Sequence, residues 1–443
     1  PRHMGGRGWQ QITWIARFIA LAVALCLGCA SAFAQQVPGI ERIRFRTYTT
    51  AHGLPQATVR AIAQDTTGFL WFGTQDGLAR FDGYGFKVYR HDRVDPWSLS
   101  ANHVTALVAD EDGSVWIGTQ AGFNHYDPDL DRFTARFADP TRSDALASNN
   151  VTALALDSQR RLWVASTGGR LQWLDRANGV LHDSGMGERA PFRMVRTILE
   201  LQDKSLLLGT LDGVWRIDPA AATMVEWRDA DGASLDVYTL AQADDGSLWI
   251  GTAEAGLYRF SADGRQLAHY LRNEGEGDGS LHDNAVRALL FDHEGSLWVA
   301  GNGRGLARMD PASGRFDHHV HDAARPQTVG ANRLWSLFLE RHGLLIVGSW
   351  VNGFSVHDPR TRAFTLIDSV PGDARTLPAR PVKTVHADRD GSLWMGTLEG
   401  GGLVHLDPSK GVLRRYVHDP KRADSLSHNF VQYVTRARNG GLW

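Results

Sequence analysis

The chain has 443 residues, 43% hydrophobic and 22% charged, which excludes a disordered or collagen-like chain and requires several domains or a repeat array, because one core does not grow to this size. Its 47 basic and 49 acidic residues leave a formal charge of −2, with no basic footprint for nucleic acid. Glycine is in excess at 47 residues, about a tenth of the chain against a usual ~7%.

Residues 1–34 read as a secretory signal. Arg7 and Arg17 precede or open an apolar run from Phe18 to Leu27, and Ala32-Phe33-Ala34 supplies a small-residue cleavage site before Gln35. The run is short for a bilayer span, and an uncleaved anchor is the alternative reading. Both cysteines, Cys26 and Cys29, fall inside this segment, so the exported protein is expected in the periplasm without thiols. That expectation excludes disulfides, cysteine-zinc sites and cysteine nucleophiles.

From about residue 43 the sequence repeats itself. Asp-x-x-Gly-x-Leu-Trp-Ile-Gly-Thr, then Gly-Leu-x-Arg-x-Asp-Pro, recurs around Trp71, Trp116, Trp163, Leu207, Trp249, Trp298, Leu345, Trp394 and Trp443. A period near 46 residues marks a repeat architecture. In the second copy, Val104 to Val108, Val115 to Thr119, Gly122 to Tyr126 and Arg132 to Phe137 read as four short strands separated by turn residues. Amphipathic stretches free of Gly and Pro, which a helical repeat needs, are absent. The expected fold is all-β, a β-propeller with four-stranded blades, whose central strands are apolar on both faces because neighbouring blades cover them.

The repeated residues are expected to be scaffold. A tryptophan in the second strand buries roughly 150–250 Å², or about 4–6 kcal/mol gross, and acts as a wedge between blades; Trp71, Trp116, Trp163, Trp249, Trp298, Trp394 and Trp443 are assigned this role. The following glycine permits close backbone approach, and Asp-x-x-Gly makes the turn between the first two strands. A catalytic group is needed once, whereas these recur.

Asn-x-Val-x-x-Leu-x-x-Asp-x-x-Gly-Ser-Leu-Trp-Ile-Gly-Thr, preceded by segments such as His91-Asp92 to Asn102 and His418-Asp419-Pro420 to Asn429, resembles the two-component regulator propeller repeat. The resemblance covers essentially all of 43–443. It implies the extracytoplasmic part of a bacterial membrane sensor: often fourteen repeats in two seven-bladed rings, then a β-sandwich, a membrane helix and an output module, commonly a histidine kinase and elsewhere a diguanylate cyclase. Because the sequence stops inside a ninth phrase, further sequence with a membrane anchor is expected downstream. No kinase or cyclase motif occurs in these residues, so enzymatic activity is left open and no cofactor is expected.

Ring size follows from closure. Arg44 to Tyr48 reads as an outermost strand; seven blades require it to pair with Gly353 to Val356, eight with residues 402–406. The domain expectation is one complete seven-bladed propeller over 40–362 and the start of a second over 363–443.

Few residues suggest chemistry. His318-His319-Val320-His321 places His319 and His321 on one face of an outer strand, read as a solvated edge and not a metal site. The acidic glycine-rich stretch 273–280 is read as a loop between blades. Gly301-Asn302-Gly303-Arg304-Gly305 follows a strand and opens no helix, so it is not a dinucleotide loop.

Repeat seven departs from the others: Asn332-Arg333-Leu334-Trp335 enters its first strand and Trp350-Val351-Asn352 its second turn. One explanation is that the indoles replace volume missing at Leu345. The functional one makes Arg333, Trp335, Trp350 and Asn352 ligand-binding candidates suited to a sugar. The expected protein is thus a periplasmic sensor of a small molecule such as a carbohydrate, acting as a homodimer without nucleic-acid contact through this region. A secreted interaction scaffold, or a propeller lyase or hydrolase similar to streptogramin lyases, is the alternative.

Overall fold

The computed structural model describes residues 40, 41 and 43–443, apart from 177, 185–191, 220, 222, 274–278, 364, 365, 371 and 409. The expected signal over 1–34, with Cys26 and Cys29, lies outside the described residues, as does most of the loop 273–280. Two compact units divide the chain, one of them Ile43–Ala363 and the other holding Phe364–Trp443.

The larger unit contains seven four-stranded antiparallel sheets, the blades of a β-propeller. Blade 1, for example, consists of Val59–Gln64, Leu70–Thr74, Gly77–Phe81 and Phe86–Tyr89, joined in that order. Every residue of its second strand is buried, and the same holds for the second strands of the other six, such as Leu248–Thr252. A strand covered on both faces loses the alternation of a half-buried one, which explains runs such as Leu248-Trp249-Ile250.

The core lies between blades and not within them. Trp71 of blade 1 packs with Leu99, Val104, Val115 and Tyr126 of blade 2 and its entering loop. Trp249 packs with Val286, Leu297 and Met309 of blade 6. In blade 4, Leu207 takes the tryptophan's place against Val237, Leu248 and Ile250 of blade 5.

The repeat glycine has a defined counterpart. A Cβ on Gly73 would lie 2.5 Å from Cγ1 of Val104, the first residue of the next blade's inner strand. Gly118 faces Val151 and Gly251 faces Val286 in the same way. Blade 3 carries Ala165 at this position and packs it with Val195.

The repeat aspartate does more than make a turn. Asp65 Oδ1 accepts from Phe69 N at 3.0 Å, while its Oδ2 accepts from the Trp71 indole Nε1 at 2.8 Å. Asp110, Asp157 and Asp292 accept likewise from Trp116, Trp163 and Trp298 at 3.0, 2.8 and 2.8 Å. A buried N–H needs such a partner.

Blade 7 is built from both ends of the unit. Its strands Leu334–Leu339, Leu345–Ser349 and Phe354–His357 are completed by Arg46–Tyr48, with Arg46 opposite Val356, Thr47 opposite Ser355 and Tyr48 opposite Phe354. Tyr48 stacks on Phe354 at 5.1 Å. Blade 7 then meets blade 1 through a shared core of Ile346 and Phe354 with Val59, Phe72 and Phe81, and Ser336 Oγ donates to Val59 O at 3.1 Å. The ring therefore has seven blades. A side chain at Gly353 (φ +71°) would put Cβ 2.0 Å from Tyr48 O, so the closing turn requires glycine.

The second unit contains one four-stranded sheet, Val382–Ala387, Leu393–Thr397, Leu403–Asp407 and Gly411–Tyr416, and a short pairing of Ile40–Glu41 with Leu366–Ile367. Residues 40 and 41 thus belong with this unit and not with the ring.

Trp443 is 78% exposed, and its backbone pairs with that of Thr435. One sequence expectation is corrected. The outer strand of blade 6 ends at His319, so His321 does not share its face; instead His321 Nδ1 lies 2.9 Å from Val329 O. His318 lies against His282 at 4.4 Å with the rings tilted, and His319 lies against Trp298 at 5.8 Å. His318 and His319 are thus partly buried, His319 also lying against Phe45 at 6.4 Å, whereas His321 is exposed.

Candidate functional site

Each inner strand of the ring begins with an aliphatic residue that is fully buried: Val59, Val104, Val151, Val195, Val237, Val286 and Leu334. Pairing with the second strand then shifts by one residue, a bulge present in all seven blades. A bulge re-aims the side chain of the extra residue. The residues in question are Arg60, Thr105, Thr152, Arg196, Tyr238, Arg287 and Trp335, all partly buried. Unlike the aliphatic residue before it, this position is not repeated.

Five of these side chains contact one another in succession around one end of the ring. Arg287 lies over Tyr238 at 3.8 Å and over Trp335 at 5.0 Å. Arg60, from across the closure, lies over Trp335 at 4.9 Å, and Arg196 lies over Tyr238 at 4.0 Å. The result is a cationic and aromatic arc drawn from blades 4, 5, 6, 7 and 1; Thr105 and Thr152 hold the same strand position in blades 2 and 3. Such cation–π contacts strengthen when partly desolvated.

Charge in the arc is only partly compensated. Arg196 is ion-paired with Asp236, whose carboxyl is pushed above its usual range by burial, against the opposing pull of Arg196. Burial, followed by the nearby Arg287 charge, lowers the Arg60 guanidinium below its ordinary value. His103 Nε2 lies 2.7 Å from Arg60 Nη1. Burial and the Arg60 charge hold His103 below the usual histidine range, so its neutral ring accepts the Arg60 hydrogen bond.

Of the four residues singled out in repeat seven, three meet at this end of the ring. Trp335 and Trp350 face each other at 4.6 Å, and Arg333 lies over Trp350 at 4.8 Å while its Nε donates to Asn302 Oδ1 at 3.2 Å. Asn352 instead secures the blade, donating from Nδ2 to Gly330 O at 2.8 Å. The indoles do not replace volume beside Leu345, which packs with Phe45, Trp298, Val329 and Leu334. Sequence reasoning missed Arg60, Arg196, Tyr238 and Arg287. The available signal was the variable residue directly after the valine that opens each of these inner strands.

A separate cleft of about 470 Å³ lies between blades 3 and 4, lined by Arg161, Asp203, Lys204, Arg216 and Asp218 among others. There Arg216 is paired with Asp203 and Arg161 with Asp157, so its guanidinium charges are already matched. Among the described residues, no group of three or more His, Cys, Asp or Glu is placed to hold a metal ion, and no helix is long and apolar enough to cross a membrane.

The architecture is that of a closed seven-bladed propeller with a charged axial mouth. The two-component regulator propeller family model matches residues 53–76, 98–121, 145–168, 231–254 and 280–303. Those segments cover the inner two strands of blades 1, 2, 3, 5 and 6, all of which keep the repeat tryptophan. Over these segments the chain is similar to the two-component regulator propeller repeat.

A segment of 56 residues, 13% of this chain, is 48% identical to histidine kinase P4 of Formosa agariphila, covering 4% of that protein. The extracellular domain of a hybrid two-component system from B. thetaiotaomicron superposes with a TM-score of 0.72 at 23% identity, over 90% of this chain and 52% of that one. Virginiamycin B lyase from Staphylococcus aureus superposes with a TM-score of 0.54 at 10% identity, over 71% of this chain and 99% of the lyase. At these identities the structural likenesses concern the fold. The chain spans about half the length of the two-component sensor domain that it matches.

Proposed function

We propose that this chain is the extracytoplasmic sensor part of a bacterial membrane signalling protein, in which the propeller recognises a small ligand and a histidine kinase or diguanylate cyclase downstream answers. The observation that carries this reading is the 48% identity over 56 residues to a protein named a histidine kinase. The fold likeness over 90% of the chain to an extracellular domain of a two-component system supports it. In this reading, residues 363–443 begin a second propeller, residues 1–34 direct export to the periplasm, and an anchor follows the described residues. The active form is a homodimer, and its ligand, such as a carbohydrate, binds two arrangements of the dimer with different affinity; without that difference no signal passes.

The test uses the full-length protein in membrane vesicles. Phosphoryl transfer from labelled ATP and cyclic dinucleotide formation from GTP are followed with and without a panel of sugars and sugar acids. A ligand-dependent change of about fivefold or more in either product is expected, the scale of ordinary allosteric coupling. Absence of both products overturns the reading.

A further inference from the structure

The cations at the axial mouth differ from those elsewhere in the ring. Arg161, Arg176 and Arg259 are each paired with an aspartate. Arg60 and Arg287, from blades 1 and 6, both lie over the Trp335 ring at 4.9 and 5.0 Å, the Arg287 charge disfavours the charge on Arg60, and Asp236 is engaged by Arg196. The Nε of Arg60 and the Nε and Nη1 of Arg287 are buried with no hydrogen-bond acceptor. At the same strand position in blades 2 and 3 the hydroxyls of Thr105 and Thr152 are also buried and without a partner. Buried donors lacking acceptors and like charges in proximity both disfavour the empty state. An anion placed among them satisfies both at once, and charge-assisted bonds of this kind are the stronger ones.

We propose that the axial mouth binds a sugar acid, with its carboxylate on Arg60 and Arg287 and its hydroxyls on Thr105 and Thr152. Arg60 and Arg287, for which no carboxylate partner is seen among the described residues, set the charge, and the threonine hydroxyls select a polyhydroxylated body. The carboxylate belongs either to a free sugar acid or to the terminal unit of an acidic oligosaccharide. This inference rests on the sensor reading for its signalling consequence, and on the geometry alone for the binding.

Isothermal titration of the full chain with gluconate, glucuronate and a glucuronate-terminated disaccharide, against neutral glucitol and glucose, tests it. The acids are expected to bind at least tenfold tighter than their neutral counterparts, with affinity falling as salt rises. Arg60→Gln and Arg287→Gln should each weaken the acids about tenfold or more. Their ligand-free melting temperatures should be unchanged or higher, because the repulsion between the two guanidiniums is relieved. Arg216→Gln, in the cleft between blades 3 and 4, should leave binding as it was. Tighter binding of the disaccharide than of gluconate identifies the oligosaccharide as the source, and the reverse identifies the free acid. The proposal is overturned when no acid binds, when acid and neutral analogue bind alike, or when both arginine variants bind like the parent. Binding that survives without any ligand-dependent output rejects the sensor reading and leaves the site standing.

Discussion

Trp249 stands six residues after Ala243, where the corresponding tryptophans of blades 1, 2, 3 and 6 stand six residues after an aspartate, and its fully buried indole N–H has no acceptor. The scaffold therefore contains its own comparison between a satisfied and an unsatisfied wedge.

Supplying the acceptor should stabilise the ring. Ala243→Asp is expected to raise stability by about 1 kcal/mol, and Asp65→Ala, which strips the Trp71 indole and the Phe69 amide of their partner, to lower it by about 2 kcal/mol or more. Thermal unfolding of both variants beside the parent checks the pair; a loss from Ala243→Asp equal to that from Asp65→Ala would count against the bond.

The contact between Gly73 and Val104 should appear as coupling across two blades. Gly73→Ala alone forces a methyl to within 2.5 Å of Cγ1 of Val104 and is expected to cost about 1–3 kcal/mol. In the double variant Gly73→Ala/Val104→Ala the overlap is gone, so the combined loss should fall short of the sum by about 1 kcal/mol in a double-mutant cycle. Simple additivity would show that the two blades do not meet there.

Two Asp-x-x-Gly-type turns lack their glycine and hold a side chain at positive φ: Arg160 at 65° and Lys204 at 71°. The equivalent Gly68, Gly113 and Gly246 lie between 80° and 98°. Lys204→Gly should therefore gain about 1 kcal/mol, the usual penalty for a left-handed side chain. Chemical denaturation reads this as a higher midpoint at unchanged slope.

Stability should also fall in mild acid through His282. Its burial, followed by the charge of His318 lying against it, lowers its pKa to about 4, with Arg304 and Arg272 acting in the same direction and Asp283 against them. Unfolded histidine protonates near ~6.5, so between these values the unfolded chain binds the proton and the fold does not. The stabilising difference is complete above ~6.5 and is lost progressively as pH drops toward 4. Melting temperatures from pH 8 to 5 should fall less steeply for His282→Gln than for the parent; parallel curves would assign the acid sensitivity elsewhere.

Recurrence made the blades legible in the sequence: nine copies of one phrase state strand order, turns and wedge positions, and a misreading in one copy is corrected by the others. Closure was legible too, because Arg44 to Tyr48 is a fourth strand without its own first three. The site was legible only where a residue type surprised, as at Trp335 and Trp350. Arg60 and Arg287 look like ordinary surface arginines until the bulges in the inner strands bring five distant positions into contact at one end of the ring. The fate of His321 was hidden for a related reason, since the strand's end at His319 is set by the loop that follows and not by the histidines themselves.

Because blade 7 takes its outer strand from Arg46–Tyr48 and its other three from residues 334–357, a chain emerging from its N-terminus must carry an unmatched strand through some 300 residues of synthesis, at an entropic cost that grows only slowly with the length of the loop. Six blades can stack in order as they appear, yet none of those intermediates places Arg60 against Trp335. The axial mouth comes into being in a single late event, when the last blade captures the first strand. Partly made or truncated rings therefore lack the meeting of Arg60 with Trp335, and under the ligand proposal they are blind by construction.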